Sequence, residues 1–112
     1  MKKTTVQRQR GFDGTWHPVI LVKGLVFAPE EQTRMTRQEA EKHILILKSS
    51  LGSCEVGLLK GDPDENGKPH IKIVVPVNGT KQTFVTAVNS QRMDRTFELL
   101  ARQLGIQTQP AL

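Results

Sequence analysis

The stretch VPVNGTKQTFV, residues 75–85, sets two apolar, β-branched runs on either side of Asn78-Gly79. A type I′ turn needs positive φ at both central positions, and Asn-Gly meets that demand at least cost. The pair therefore predicts an antiparallel hairpin of residues 70–77 and 80–88. A two-residue loop sets the register: Val77 opposite Thr80, Ile73 opposite Phe84, Lys72 opposite Val85. Strand alternation then places Ile71, Ile73, Val75, Val77 and Phe84 on one face. His70, Lys72, Val74, Lys81 and Thr83 lie on the other. Pro76 lacks an N–H, so its nitrogen side should point away from any neighbouring strand.

Outward from this hairpin, other segments read as strands and helices. VQRQRGFDGTWHPVIL reads as a second hairpin, closed by Asp13-Gly14 as another type I′ pair. Its second arm continues through PVILVKGLVFAP as one buried strand with a bulge at Gly24. Thr36 and Glu39 have the spacing of a capping box and open a helix over residues 36–50, with Gly52 as its stop. Ala40, Ile44, Leu47 and Leu51 form its apolar stripe. Leu45 and Ile46 fall off that stripe and need either a cover or a partner. CEVGLLK reads as a short strand. Residues 91–104 read as the last helix, with Met93, Phe97, Leu100, Ala101 and Leu104 on one side and Arg92, Arg95 and Arg102 away from it. The expectation is α+β: an antiparallel sheet of about five strands with two helices, in the order β-β-α-β-β-β-α. Residues 1–112 read as one domain. Residues 1–10 read as a basic N-terminal arm or an edge strand, and 106–112 as a flexible tail.

The chain has 112 residues, 16 Lys and Arg against 11 Asp and Glu, and a formal net charge of +5. A basic balance of this kind attracts polyanions. Aromatic residues are only 4% and Tyr is absent, which argues against the stacking platforms of single-strand binders. One cysteine, Cys54, leaves no intramolecular disulfide and no cysteine-based zinc site, which fits a reducing, cytoplasmic setting. No apolar run is long enough to span a bilayer, and the basic N-terminus lacks the apolar stretch of a secretory signal.

Enzyme signals are weak. Glu39 and His43 share a helix side at metal-ligand spacing, but no third ligand is near in sequence. Cys54 and His70 fall on strands that can be neighbours, a nucleophile–base geometry; equally, a free cysteine beside Val56 and Leu58 reads as a small buried hydrophobe. Asp62, Asp64 and Glu65 lack the spacing of a calcium loop. No catalytic residue, metal or cofactor is expected.

From Thr36 to Gly105 the order is α-β-β-β-α, and GKPHIKIVVPVNG resembles the loop and second strand of double-stranded-RNA-binding domains. That resemblance implies a groove contact from His70. The chain departs from the family at the start of the last helix, where SQRMDR supplies Arg92 and Arg95 in place of a lysine cluster.

Two functional expectations follow. The first is a small, basic, non-enzymatic DNA- or RNA-binding protein. It contacts mainly the phosphate backbone of duplex or structured nucleic acid through Lys2, Lys3, Arg8, Arg10, Lys72, Lys81, Arg92 and Arg95. The second is a protein-interaction or inhibitor module, monomer or homodimer, that uses an exposed strand edge or the surplus apolar residues Leu45 and Ile46.

Overall fold

In the computed structural model, which describes residues 4–31, 33–52 and 55–106, the Asn78-Gly79 turn forms with φ of 48° and 82°. Its strands pair in the expected register, Ile73 opposite Phe84 and Lys72 opposite Val85. The strands are β1 (Thr5–Arg10), β2 (Trp16–Val22), β3 (Leu25–Pro29), β4 (Gly57–Gly61), β5 (His70–Val77) and β6 (Thr80–Ala87). The helices are α1 (Arg37–Ser50) and α2 (Met93–Leu104), the second entered through a short 3-10 turn, Ser90–Arg92. The fold is α+β, one antiparallel six-stranded sheet in the order β1-β2-β3-β6-β5-β4 with two helices.

The expected strand count and order change at one place. Residues 16–29 are two strands, not one bulged strand, because Lys23-Gly24 is itself a two-residue turn with φ of 51° and 77°. Val22 pairs with Leu25 across it. Lysine is not a usual left-handed residue, so the pair gave no turn signal. The chain is thereby β-β-β-α twice over. Asp13-Gly14 is the opposite case. Only Gly14 has positive φ, and Arg10 pairs with Trp16 across a five-residue loop. Inside it Asp13 Oδ1 accepts from Thr15 N (3.0 Å) and Thr15 Oγ1 (2.6 Å), which replaces a type I′ turn with a side-chain-stapled one.

The capping box at α1 forms as read, with Thr36 and Glu39 each accepting the other's backbone N–H. Gly52 does not act as a left-handed stop; α1 ends on Leu51, still right-handed. Gly105 does stop α2, at φ 71°. Ile106 then returns its N–H to Ala101 (2.8 Å) and packs on the core. The remainder of the expected tail, 107–112, lies outside the described residues.

Both helices lie on one side of the sheet. Ile44, Leu47, Leu100 and Ala101 share a core with Val6, Ile20, Phe27, Ile73 and Phe84, and the register places those five on one sheet face. On the opposite face, among the described residues, no helix covers Leu21, Val26, Val74 or Val85. Pro76 sits past Val74, the last residue of β5 paired with β4. Its missing N–H therefore costs the ladder nothing.

Candidate interaction edge

Among the described residues β1 is an outermost strand, and the backbone tells which of its residues face outward. Trp16 both donates to Met35 (2.8 Å) and accepts from it (3.1 Å), so its backbone groups turn away from β1. Arg10, opposite Trp16, must then turn its own N–H and C=O off the sheet. Antiparallel alternation extends this to Arg8 and Val6. Edge strands are usually blunted by proline, bulges, short length or charge, and of these β1 has only the charges of Arg8 and Arg10. β1 has six consecutive pairs with β2 and no break in register. β4, the other edge, is shorter and bounded by Gly57 and Gly61.

The side chains beside this edge come from α1. Val6 is buried in the core. Arg8 forms an ion pair with Glu41 on α1, and its guanidinium lies 5.5 Å from the Trp16 ring centroid. Arg37, at the start of α1, lies 5.9 Å from the same ring and 3.6 Å from Glu41. These cation–π and ionic contacts dock α1 along β1. Between the two runs an open groove of about 540 Å³, lined by Val6, Gln7, Arg8, Glu41, Ile44, Leu45 and Lys48. Leu45 is 67% exposed in it, while Ile46 packs on the core. A second hollow shares Val6, Gln7 and Lys48 and continues past Thr4 to Leu51 and Leu104. The outward backbone of β1 and the surplus leucine, separate signals in the sequence, thus meet in one place.

Among the described residues the basic candidates do not converge in this way. Lys2 and Lys3 lie outside the described residues. Arg8 is engaged with Glu41 on the helix side of the sheet. Arg10 is exposed on the same side near the β1–β2 loop. Lys72 and Lys81 lie on the open face, where Lys72 is paired with Glu30 at 2.7 Å and Lys81 is exposed. Arg92 and Arg95 are exposed at the start of α2. Lys60 is held by Asp94 (2.8 Å) and sits 5.2 Å over the Phe97 ring. One property of charge is sheet-wide: no strand carries an Asp or Glu, so every one of the 11 acids lies on a helix, turn or loop.

Among the described residues the catalytic and metal alternatives gain no assembled site. Glu39 is spent in the capping box, and His43 Nε2 contacts Gln82 Oε1 at 2.6 Å. Cys54 lies outside the described residues. His70 Nε2 is 3.9 Å from Asp64 Oδ2. Among the described residues no group of three or more His, Cys, Asp or Glu could hold a metal ion.

The carboxylates have structural duties, and their lowered pKa values show it. Backbone and side-chain hydrogen bonds from Thr36 lower Glu39. The Thr15 hydroxyl and N–H lower Asp13. The Lys68 N–H, then that of Asn66, lowers Asp64, and the Lys60 ammonium lowers Asp94.

Comparison with known proteins finds no matching family model, no matching curated protein and no matching solved structure. Sequence reasoning named an exposed edge and Leu45 without joining them. The joining signal is the spacing of Glu41, Leu45 and Lys48, which repeats one helix side at i, i+4 and i+7.

Proposed function

We propose that this chain is a non-enzymatic protein-interaction module that takes a partner strand along the outer edge of β1. The carrying observation is the groove in which the outward backbone of β1 faces the exposed Leu45 of α1. Strand addition works this way: unpaired N–H and C=O groups supply affinity, and an adjacent helix supplies a side-chain contact that selects the partner. The test is a photo-crosslinking residue placed at Leu45, with Leu99 on α2, exposed at 40%, as the control position. A discrete protein adduct from position 45 but not from 99 supports the reading. Equal labelling at both, or none, counts against it.

A second reading, a phosphate-contacting nucleic-acid binder, is favoured by the acid-free strands and the net charge of +5. Two of its eight expected contacts, Arg8 and Lys72, are already engaged in ion pairs. The discriminating property is salt. Phosphate contacts lose affinity steeply as counterions are restored, whereas a backbone ladder has no such dependence.

A further inference from the structure

We infer that the strand received by β1 is β1 of a second copy, so that the chain pairs edge to edge into one continuous twelve-stranded sheet. The inference rests on the strand-docking reading above and adds the identity of the partner.

The side of α1 that lines the groove is complementary to itself. Glu41, Leu45 and Lys48 stand in that order along the helix, all beside β1. A two-fold axis perpendicular to the sheet makes the two α1 helices antiparallel. Glu41, which also pairs with Arg8 and Arg37 of its own copy, then faces the partner's Lys48, Lys48 faces the partner's Glu41, and Leu45 meets the partner's Leu45 between them. An isologous contact needs this kind of patch, in which residue i meets j and j meets i. The leucine that one copy leaves 67% exposed is covered by the other.

The strands agree with the helices. In an antiparallel pair, opposed residues share a sheet face, so a two-fold must centre on a residue. Centred on Arg8, the pairing sets two guanidinium groups in contact, which like-charge repulsion penalises. Centred on Gln7, it sets Arg8 opposite the partner's Val6, Thr5 opposite the partner's Gln9, and Gln7 opposite the partner's Gln7. The outward residues Val6 and Arg8 then exchange backbone hydrogen bonds across the seam. Along the edge, Arg8 sits at Glu41, while Lys48 lies beside Thr4 to Gln7. The midpoint of the helix patch, Leu45, thus falls near the centre of the strand.

The test is the molar mass in solution, with register read by disulfide trapping in a Cys54→Ser background. Gln7 is a non-hydrogen-bonded pair with its own copy, so the Cα atoms lie about 4.5 Å apart, within disulfide reach. Gln7→Cys is expected to cross-link under mild oxidation and Arg8→Cys is not. Leu45→Lys places like charges at the axis, and Lys48→Glu sets like charges opposite the partner's Glu41; each should weaken the dimer by about tenfold or more. Leu99→Lys should leave it unchanged, and circular dichroism should show all three variants folded. A wild type that stays monomeric at millimolar concentration overturns the inference, as does cross-linking through Arg8→Cys in place of Gln7→Cys. A monomer that still gives a protein adduct from position 45 ends self-pairing and leaves strand docking standing. A monomer that gives no adduct ends both.

Discussion

Lys23 and Asn78 hold the same place in the two halves of the sheet, each the first left-handed residue of a two-residue turn, with φ of 51° and 48°. Ile20, Leu21 and Val22 pair with Phe27, Val26 and Leu25 around the first turn. Val75, Pro76 and Val77 pair with Gln82, Lys81 and Thr80 around the second. Each hairpin is extended by one outer strand and followed by a helix, and β3 and β6 join the halves antiparallel.

The two turns differ in cost. A left-handed conformation costs an ordinary L-residue roughly 1–2 kcal/mol, and asparagine pays less of it. Lys23→Asn should therefore stabilise the protein by about 0.5–1 kcal/mol, read as a higher denaturant midpoint at unchanged slope. Asn78→Lys should do the reverse. No gain from Lys23→Asn means that Lys23 makes a compensating contact.

Helix positions should differ in their sensitivity to truncation according to burial. Leu47 and Leu100 are wholly buried, so either leucine changed to alanine should cost about 2–5 kcal/mol. Phe97 is only partly buried and lies beneath Lys60. Phe97→Ala should fall below the roughly 3–5 kcal/mol of a fully buried ring. Equilibrium urea melts of the three variants rank them directly.

Acid should loosen the turns and caps together. Asp13, Glu39, Asp64 and Asp94 all have pKa values held below the usual carboxylate range by hydrogen bonds or a lysine. A carboxyl lowered in the folded state stabilises it above the unfolded value and loses that contribution as pH falls through the folded one. The melting temperature should change little from neutrality down to about pH 5 and then fall below about pH 4. Thr36→Val, which removes the hydroxyl that Glu39 uses, should make the acid decline shallower.

Much of this architecture was legible in the residues. Asn78-Gly79 specified its hairpin because two left-handed positions leave few alternatives, and Thr36 with Glu39 specified a helix start through reciprocal hydrogen bonds. Lys23-Gly24 was hidden because lysine carries no turn preference; only the pairing of Val22 with Leu25 reveals the reversal. At the edge, Leu45 stood out by falling off the apolar stripe of α1. Its neighbour across the groove, Val6, belongs to a distant segment, and helical periodicity says nothing of what lies beside the helix. The basic residues were visible as a count, but pairing with Glu30 and Glu41 depends on the fold.

The nucleic-acid reading makes its own prediction. If phosphate contacts matter, binding to mixed-sequence duplex should fall with salt at a log–log slope of about 0.9 per contact. Gln in place of Lys72 and Lys81 should then flatten the slope by up to about 2. The strand-docking account expects no measurable duplex binding at low salt, and a steep slope restored to Lys72 and Lys81 favours the other reading.

Amide hydrogen exchange along β1 tests the open edge most directly. In dilute solution Thr5, Gln7 and Gln9, whose N–H groups face β2, should be protected, and Val6, Arg8 and Arg10 should exchange quickly. As concentration rises, the second set should become protected while the first barely changes. Val6, Arg8 and Arg10 as slow as Gln7 at the lowest concentration would contradict the account, because the edge would already be closed within a single chain.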